Sequence, residues 1–195
     1  MTDNKKLAKY KERVYDILEK CRYNEESQKK PTHLSYGLFQ GKFVLDNLQK
    51  KELLSLYSKA IKAGVKDFSI LETQKEYGPV IVDIDLEDLE EDYSEGDRLY
   101  DEDMIADIAG KYIEAINYYL NVSKETLKDT LKCFVFEKEK PTKKEDTLKD
   151  GFHMIFPDTC VHTKIRHLIR SKVVKKCIEE NCKTIPSFNY ENKTK

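Results

Sequence analysis

Apolar positions recur at spacings of three and four across residues 4–21. Leu7, Tyr10, Val14, Ile17, Leu18 and Cys21 form one stripe, with lysines and glutamates between them. That pattern predicts an amphipathic packing helix. Arg22 to Thr32 is polar and contains Pro31, so it reads as a loop. Gly41-Lys42-Phe43-Val44-Leu45 reads as a short strand. A second helix is predicted over roughly 48–63, with Leu53, Leu54, Tyr57 and Ile61 as its apolar face. Asp46 or Asn47 can cap its start, and Gly64 can end it in a left-handed position. Phe68 to Leu71 predicts another strand. Tyr77-Gly78-Pro79 then turns the chain into Pro79 to Leu86, where alternation replaces the helical period. Val82, Ile84 and Leu86 point one way along this strand, and Asp83 and Asp85 point the other.

Residues 87–103 hold little apolar content before Leu99 and read as a surface loop. Asp101 or Asp103 then opens a helix to about Leu120, with acidic residues at its positive end. Its predicted face is Met104/Ile105, Ile108, Tyr112, Ile116 and Tyr119/Leu120. Ser123, Thr126 and Leu127 suggest a helical turn. Cys133 to Glu137 predicts a fourth strand, and Gly151 to Phe156 a fifth, ended by Pro157. The charged connection between them, broken by Pro141, gives a wide hairpin. Asp158 or Thr159 is expected to cap a basic helix to about residue 181, and Ile185 to Lys195 reads as loop. Alternating strands and helices predict an α+β (α/β mixed) fold with a mixed sheet. Residues 1–30 form a packing helix and linker, and residues 31–195 form the main domain.

Charged residues make up 36% of the chain, above the usual quarter or so. The chain has no apolar run long enough to span a membrane, and its first residues lack a signal-peptide core. Five cysteines (Cys21, Cys133, Cys160, Cys177, Cys182) form no framework spacing, which suits a reducing, intracellular setting. The net charge of −1 conceals an asymmetry: residues 83–103 carry twelve acidic side chains and one arginine, so the remainder is basic. A basic remainder permits phosphate binding.

Asp83 and Asp85 carry the first candidate chemistry. Two carboxylates side by side resist burial, and the common reason to place them on a strand is a pair of hard divalent cations, Mg²⁺ or Mn²⁺. The bland alternative is that they only open the acidic run. The second candidate is the fifth strand. Phe152, Met154 and Phe156 form its core face, and Gly151, His153 and Ile155 share the other, with Lys149 just before. A histidine among large apolar residues is more often a satisfied core residue than a ligand. Gly151 would let a phosphate or ligand backbone come close. Cys160, His162, His167, Cys177 and Cys182 match no tight zinc spacing, so zinc is not expected. His33 reads as a loop residue. The twelve tyrosines fall mostly on apolar helix faces and do not suggest a base-stacking platform.

Asp83-Ile84-Asp85, followed by Lys149-x-Gly151-x-His153-Met-Ile-Phe-Pro, resembles the archaeo-eukaryotic primase superfamily. The nearest likeness is to the primase part of helicase-primases of large DNA viruses, the poxvirus and giant-virus type. It covers roughly residues 31–175. The resemblance implies a primase-like domain, an N-terminal αβ unit followed by part of an RRM-like unit. It also implies an acidic metal motif at Asp83 and Asp85 and a nucleotide motif at Lys149, Gly151 and His153. Gly151 stands where the family usually has serine. The family's third carboxylate, on a later hydrophobic strand, has no good match after Ile185, so the resemblance suggests an incomplete C-terminus.

What the resemblance implies is primer synthesis on a single-stranded DNA template by two-metal nucleotidyl transfer. Two Mg²⁺ or Mn²⁺ ions would be the cofactors and nucleoside triphosphates the substrates, with a helicase portion downstream. It places the protein at a viral replication site in the host cytoplasm or nucleus. Lys164, Arg166, Arg170, Lys172, Lys175 and Lys176 are candidates for template contact. Two rival readings use the same residues: a non-catalytic primase-derived module that binds nucleic acid or a partner, and a metal-dependent phosphodiesterase. The latter leaves Lys149 and His153 without an obvious need.

Overall fold

A computed structural model of the protein describes residues 3–26, 29–37, 39–66, 68–89, 96–121 and 131–180. The helical turn expected at 123–127 and the tail from 185 lie outside these residues. The chain divides into two units, Met1–Gln74 and Lys75–Lys195.

The first unit contains α1 (Asp3–Lys20), β1 (His33–Ser35), β2 (Gly41–Phe43), α2 (Asn47–Lys62) and β3 (Ile70–Glu72). Its sheet has the order β2-β1-β3, with antiparallel pairs. Val14, Ile17 and Leu18 of α1 pack with Phe43, Leu45, Leu53 and Leu56. Helix α1 is therefore an integral part of this unit. Asp46 begins α2 with a capping box: its Oδ1 accepts from the Leu48 and Gln49 N–H groups at 2.8 Å, and Gln49 Oε1 accepts from Asp46 N–H at 2.9 Å. The buried stripe of α2 is Leu53, Leu56 and Ala60, one step round from the expected one, so Leu54 and Ile61 face solvent. Two apolar stripes lie side by side on this helix, and packing against α1 selects between them. His33 starts β1 and is buried, where a loop residue was expected. Burial lowers its pKa below the ordinary histidine value.

The second unit contains β4 (Tyr77–Leu89), α3 (Glu102–Leu120), β5 (Phe134–Glu137), β6 (Thr142–Lys144), β7 (Thr147–His162) and α4 (Thr163–Glu179). Strand β7 is central, with β4 on one side and β5 and β6 on the other. Every described pairing is antiparallel, so the fold is α+β without the mixed sheet that the sequence suggested. Val80, Val82, Leu86, Phe152, Met154 and Phe156 point from the sheet into one core. Met104, Ile108, Tyr112 and Ile116 of α3 and Ile169 and Val173 of α4 close that core. Both helices cover the same sheet face, which leaves the other face open.

Three elements depart from expectation. Strand β4 runs three residues beyond Leu86, so the acidic stretch begins inside the sheet. Leu99 and Tyr100 are buried, so that stretch ends in the core. The connection before β7 holds β6, which returns through Glu145 (φ 54°) and pairs Lys144 with Thr147. A short lysine-bearing strand is a common way to guard a sheet edge. Finally, β7 continues past Pro157. The register jumps from Val80↔Phe156 to Gly78↔Val161, so residues 157–160 bulge opposite Pro79. Neither proline has an N–H to place in a ladder, and the bulge needs none there. Thr159 pins the bulge: its hydroxyl donates to Phe156 O (2.7 Å) and accepts from Val80 N–H (3.1 Å). His162, not Asp158 or Thr159, caps α4, its Nδ1 accepting from Lys164 N–H at 3.0 Å.

Candidate functional site

The open face is built from alternate residues of three strands. Cross-strand partners share a face, so the register defines successive rows. Ile81, Ile155 and Phe134 make one row; Asp83, His153 and Phe136 the next. Asp85 stands across from Gly151, and Glu87 across from Lys149. Motifs some seventy residues apart in the chain thus lie side by side.

Asp83 and His153 are directly paired. His153 Nε2 lies 2.8 Å from Asp83 Oδ1, an N–H donating to the carboxylate, and both side chains are more than half exposed. Lys149 Nζ meets Glu87 Oε2 at 2.8 Å. The hydrogen bond from Lys149, then that from Thr147, holds the Glu87 carboxyl below the usual carboxylate range. Exposed pairs of this kind are weakly held, so both side chains can turn toward an anionic ligand.

Asp83 and Asp85 sit two residues apart on one exposed strand face, with oxygen donors that suit a hard divalent cation. Among the described residues no group of three or more His, Cys, Asp or Glu side chains is gathered around one point. Cys160, His162, His167 and Cys177 likewise form no cluster there. His162 pairs with Glu76 at 2.8 Å, and Cys182 lies outside the described residues.

Gly151 lies where β4 and β7 approach closely. A Cβ on it would stand 2.1 Å from Ile84 O, and its φ is +154°. The missing side chain makes room for the backbone of β4. Its N–H donates to Asp150 Oδ1 at 2.8 Å and so is already engaged.

Asp150 is the residue that sequence reasoning missed. It lies in phase with Leu86, Phe152 and Met154 on the core face and is 1% exposed. Its Oδ2 accepts from Leu99 N–H at 3.2 Å and stands 3.5 Å from Arg98 Nε. The Arg98 guanidinium lies over the Tyr100 ring, 4.8 Å from its centroid. Tyr100 donates to Glu137 Oε1 at 3.1 Å. Burial first, then the Asp150 charge, pushes the Tyr100 phenol up to about 12. This network ties the end of the acidic segment to the strand that carries His153. Its signal in the sequence was a carboxylate at an apolar-phase position. Asp150→Ala should cost about 3 kcal/mol in urea unfolding, since it strands two buried N–H groups and a guanidinium.

The basic helix does not join the site. Helix α4 packs on the face opposite Asp83 and His153. Several of its cations are engaged: Lys176 with Glu114 and Glu180, Lys175 with Glu179, Arg166 with Lys75 O and Thr163, and Lys172 over the Tyr118 ring. No helix among the described residues is long and apolar enough to cross a membrane.

Comparison with known families matches residues 32–194 to the family described as "C962R protein N-terminal AEP domain". The chain is 32% identical over 166 residues to "Putative helicase L207/L206" of Acanthamoeba polyphaga mimivirus, covering 84% of this chain and 16% of that protein. It is also 32% identical over 136 residues to "Putative helicase 184R" of Invertebrate iridescent virus 6, covering 65% of this chain and 14% of that protein. The chain thus spans less than a fifth of the length of either relative. The family match takes in β4 and β7, the two strands that build the acid–histidine face, and the chain belongs to this family of N-terminal archaeo-eukaryotic primase domains.

Proposed function

We propose that this domain is the nucleotidyl-transfer part of a viral helicase-primase, extending primers on single-stranded DNA from nucleoside triphosphates. The observation that carries the reading is the register that sets Asp83 against His153 at 2.8 Å on an open, solvated sheet face. Carboxylates and a phosphate-binding imidazole then serve one small ligand. Two Mg²⁺ or Mn²⁺ ions held by Asp83 and Asp85, with a further carboxylate, would stabilise the attacking and leaving oxygens of phosphoryl transfer.

The chain's own residues do the rest. His153 directs a ring N–H at a phosphate oxygen, and Lys149 leaves Glu87 to bring a point charge to the triphosphate. Val80, Val82, Phe152 and Met154, buried beneath, hold the two strands rigid so that these groups are placed before the substrate arrives. Gly151 and Asp150 fix the register next to Asp85. The helicase named in the relatives would act beside this domain to supply the single strand.

The test is template-directed incorporation of labelled nucleotides by the protein carrying this domain, on single-stranded DNA with Mg²⁺ or Mn²⁺. Products that need template and disappear with EDTA are expected. Incorporation that persists with EDTA, or none under any metal condition, would contradict the reading.

A further inference from the structure

We propose that Phe134 and Phe136 form the platform on which the base of the bound nucleoside triphosphate stacks. This rests on the reading above, in which the phosphates sit at His153 and Lys149.

Both rings are more than half exposed, at 52% and 55%, and Ile81 beside them is 44% exposed. Among the described residues neither ring takes part in a ring–ring contact. Scattered exposed apolar residues need no explanation, but these are contiguous. Phe136 is the cross-strand partner of His153, and Phe134 that of Ile155, which is itself paired with Ile81. Two residues along a strand advance about 6.7 Å, so Phe134 lies one row beyond the Asp83–His153 row, away from Lys149.

The open face therefore changes character in one direction. Phe134 comes first with the aliphatic Ile81 and Ile155, then Phe136 in one row with His153 and Asp83, then Asp85, and then the lysine. A nucleoside triphosphate has the same order: a flat apolar-faced heterocycle, a sugar, and a metal-binding polyphosphate. A base laid on Phe136 places its phosphates toward His153 and the carboxylates. The reverse orientation would set a polyanion on phenyl rings. Stacking on a phenyl face accepts every base, as copying a template demands.

Calorimetric titration in Mn²⁺ separates the contributions, with ATP and inorganic tripolyphosphate as probes. Wild type should bind ATP about tenfold more tightly than tripolyphosphate, the size expected of one base–aromatic stack. Phe136→Ala should lose about that factor for ATP and leave tripolyphosphate unchanged, and Phe134→Ala should lose less. Phe136→Tyr, which keeps the ring, should restore ATP binding. Both positions are exposed, so circular dichroism should show intact folds. Equal ATP affinity in wild type and Phe136→Ala overturns the platform. So does loss of oligo(dT) binding alone, which would make the rings a contact for the strand. Tight tripolyphosphate binding without any ATP advantage overturns the platform and leaves the phosphate site standing. Failure of wild type to bind either probe overturns both.

Discussion

Replacing Asp83 with alanine should abolish metal-dependent nucleotide incorporation by the protein that carries this domain, and should leave the domain folded. Asp83 and Asp85 are neighbours on one strand face, and each is the other's like charge. Such a pair is tolerable in the apo protein because both side chains are solvated, and it becomes favourable when a divalent cation lies between them. Losing an outer-shell partner of a metal ligand typically costs 10- to 100-fold. Losing a ligand itself should cost at least about a hundredfold in rate. Asp83→Ala also frees His153 from the carboxylate 2.8 Å from its Nε2, so the imidazole loses its fixed direction. Stability should change by no more than about 1 kcal/mol, because the Asp83–His153 pair is exposed and such pairs contribute little. Incorporation at the wild-type rate by Asp83→Ala would remove the carboxylates from the mechanism. Asp85→Ala should behave in the same way.

Gly151→Ser should unfold or badly destabilise the second unit. The added Cβ would stand 2.1 Å from Ile84 O and 3.3 Å from Asp85 Cα, atoms of backbone that cannot rotate away. The backbone at φ +154° is one that side chains rarely adopt. Relief requires β4 and β7 to separate where Asp85 faces Gly151, and the ladder there also carries Asp83 and His153. Strain and lost pairing together should cost about 3 kcal/mol or more, read as a fall in the urea midpoint. A Gly151→Ser protein with unchanged midpoint and unchanged nucleotide affinity would show that this strand pair relaxes freely. At this position the lack of a side chain permits the close approach of two strands.

Much of this architecture is legible in the sequence, and the reasons are local. The phase of β4 follows from Val80, Val82 and Leu86 alternating with Asp83, Asp85 and Glu87, because apolar and charged residues cannot exchange faces. The caps at Asp46 and Asp101 follow from side chains that compete for free N–H groups. What escaped depends on pairing over distance. The opposition of Asp83 and His153 is set by a register that jumps at residues 157–160, and no local pattern encodes the size of that bulge. The phase of β5 was open because Cys133, Phe134, Val135 and Phe136 are all apolar; only pairing with β7 decides which rings reach the open face. Helix α4 read as a basic surface because lysines can be counted in sequence. Glu114, Glu180 and the Tyr118 ring, which occupy several of its cations, come from other turns and from α3. His162 caps α4 through a ring nitrogen, a role for which serine, threonine, aspartate and asparagine are the usual signals.

The central claim is that β4 and β7 present one metal–nucleotide site, and it is tested most directly by calorimetric titration of a nucleoside triphosphate with and without Mn²⁺. Wild type should bind only with the metal present, and Asp83→Ala and His153→Ala, each folded by circular dichroism, should both lose that binding. Binding that is indifferent to Mn²⁺, or that survives in both variants, would contradict the claim and separate the two strands in function although they are paired in structure.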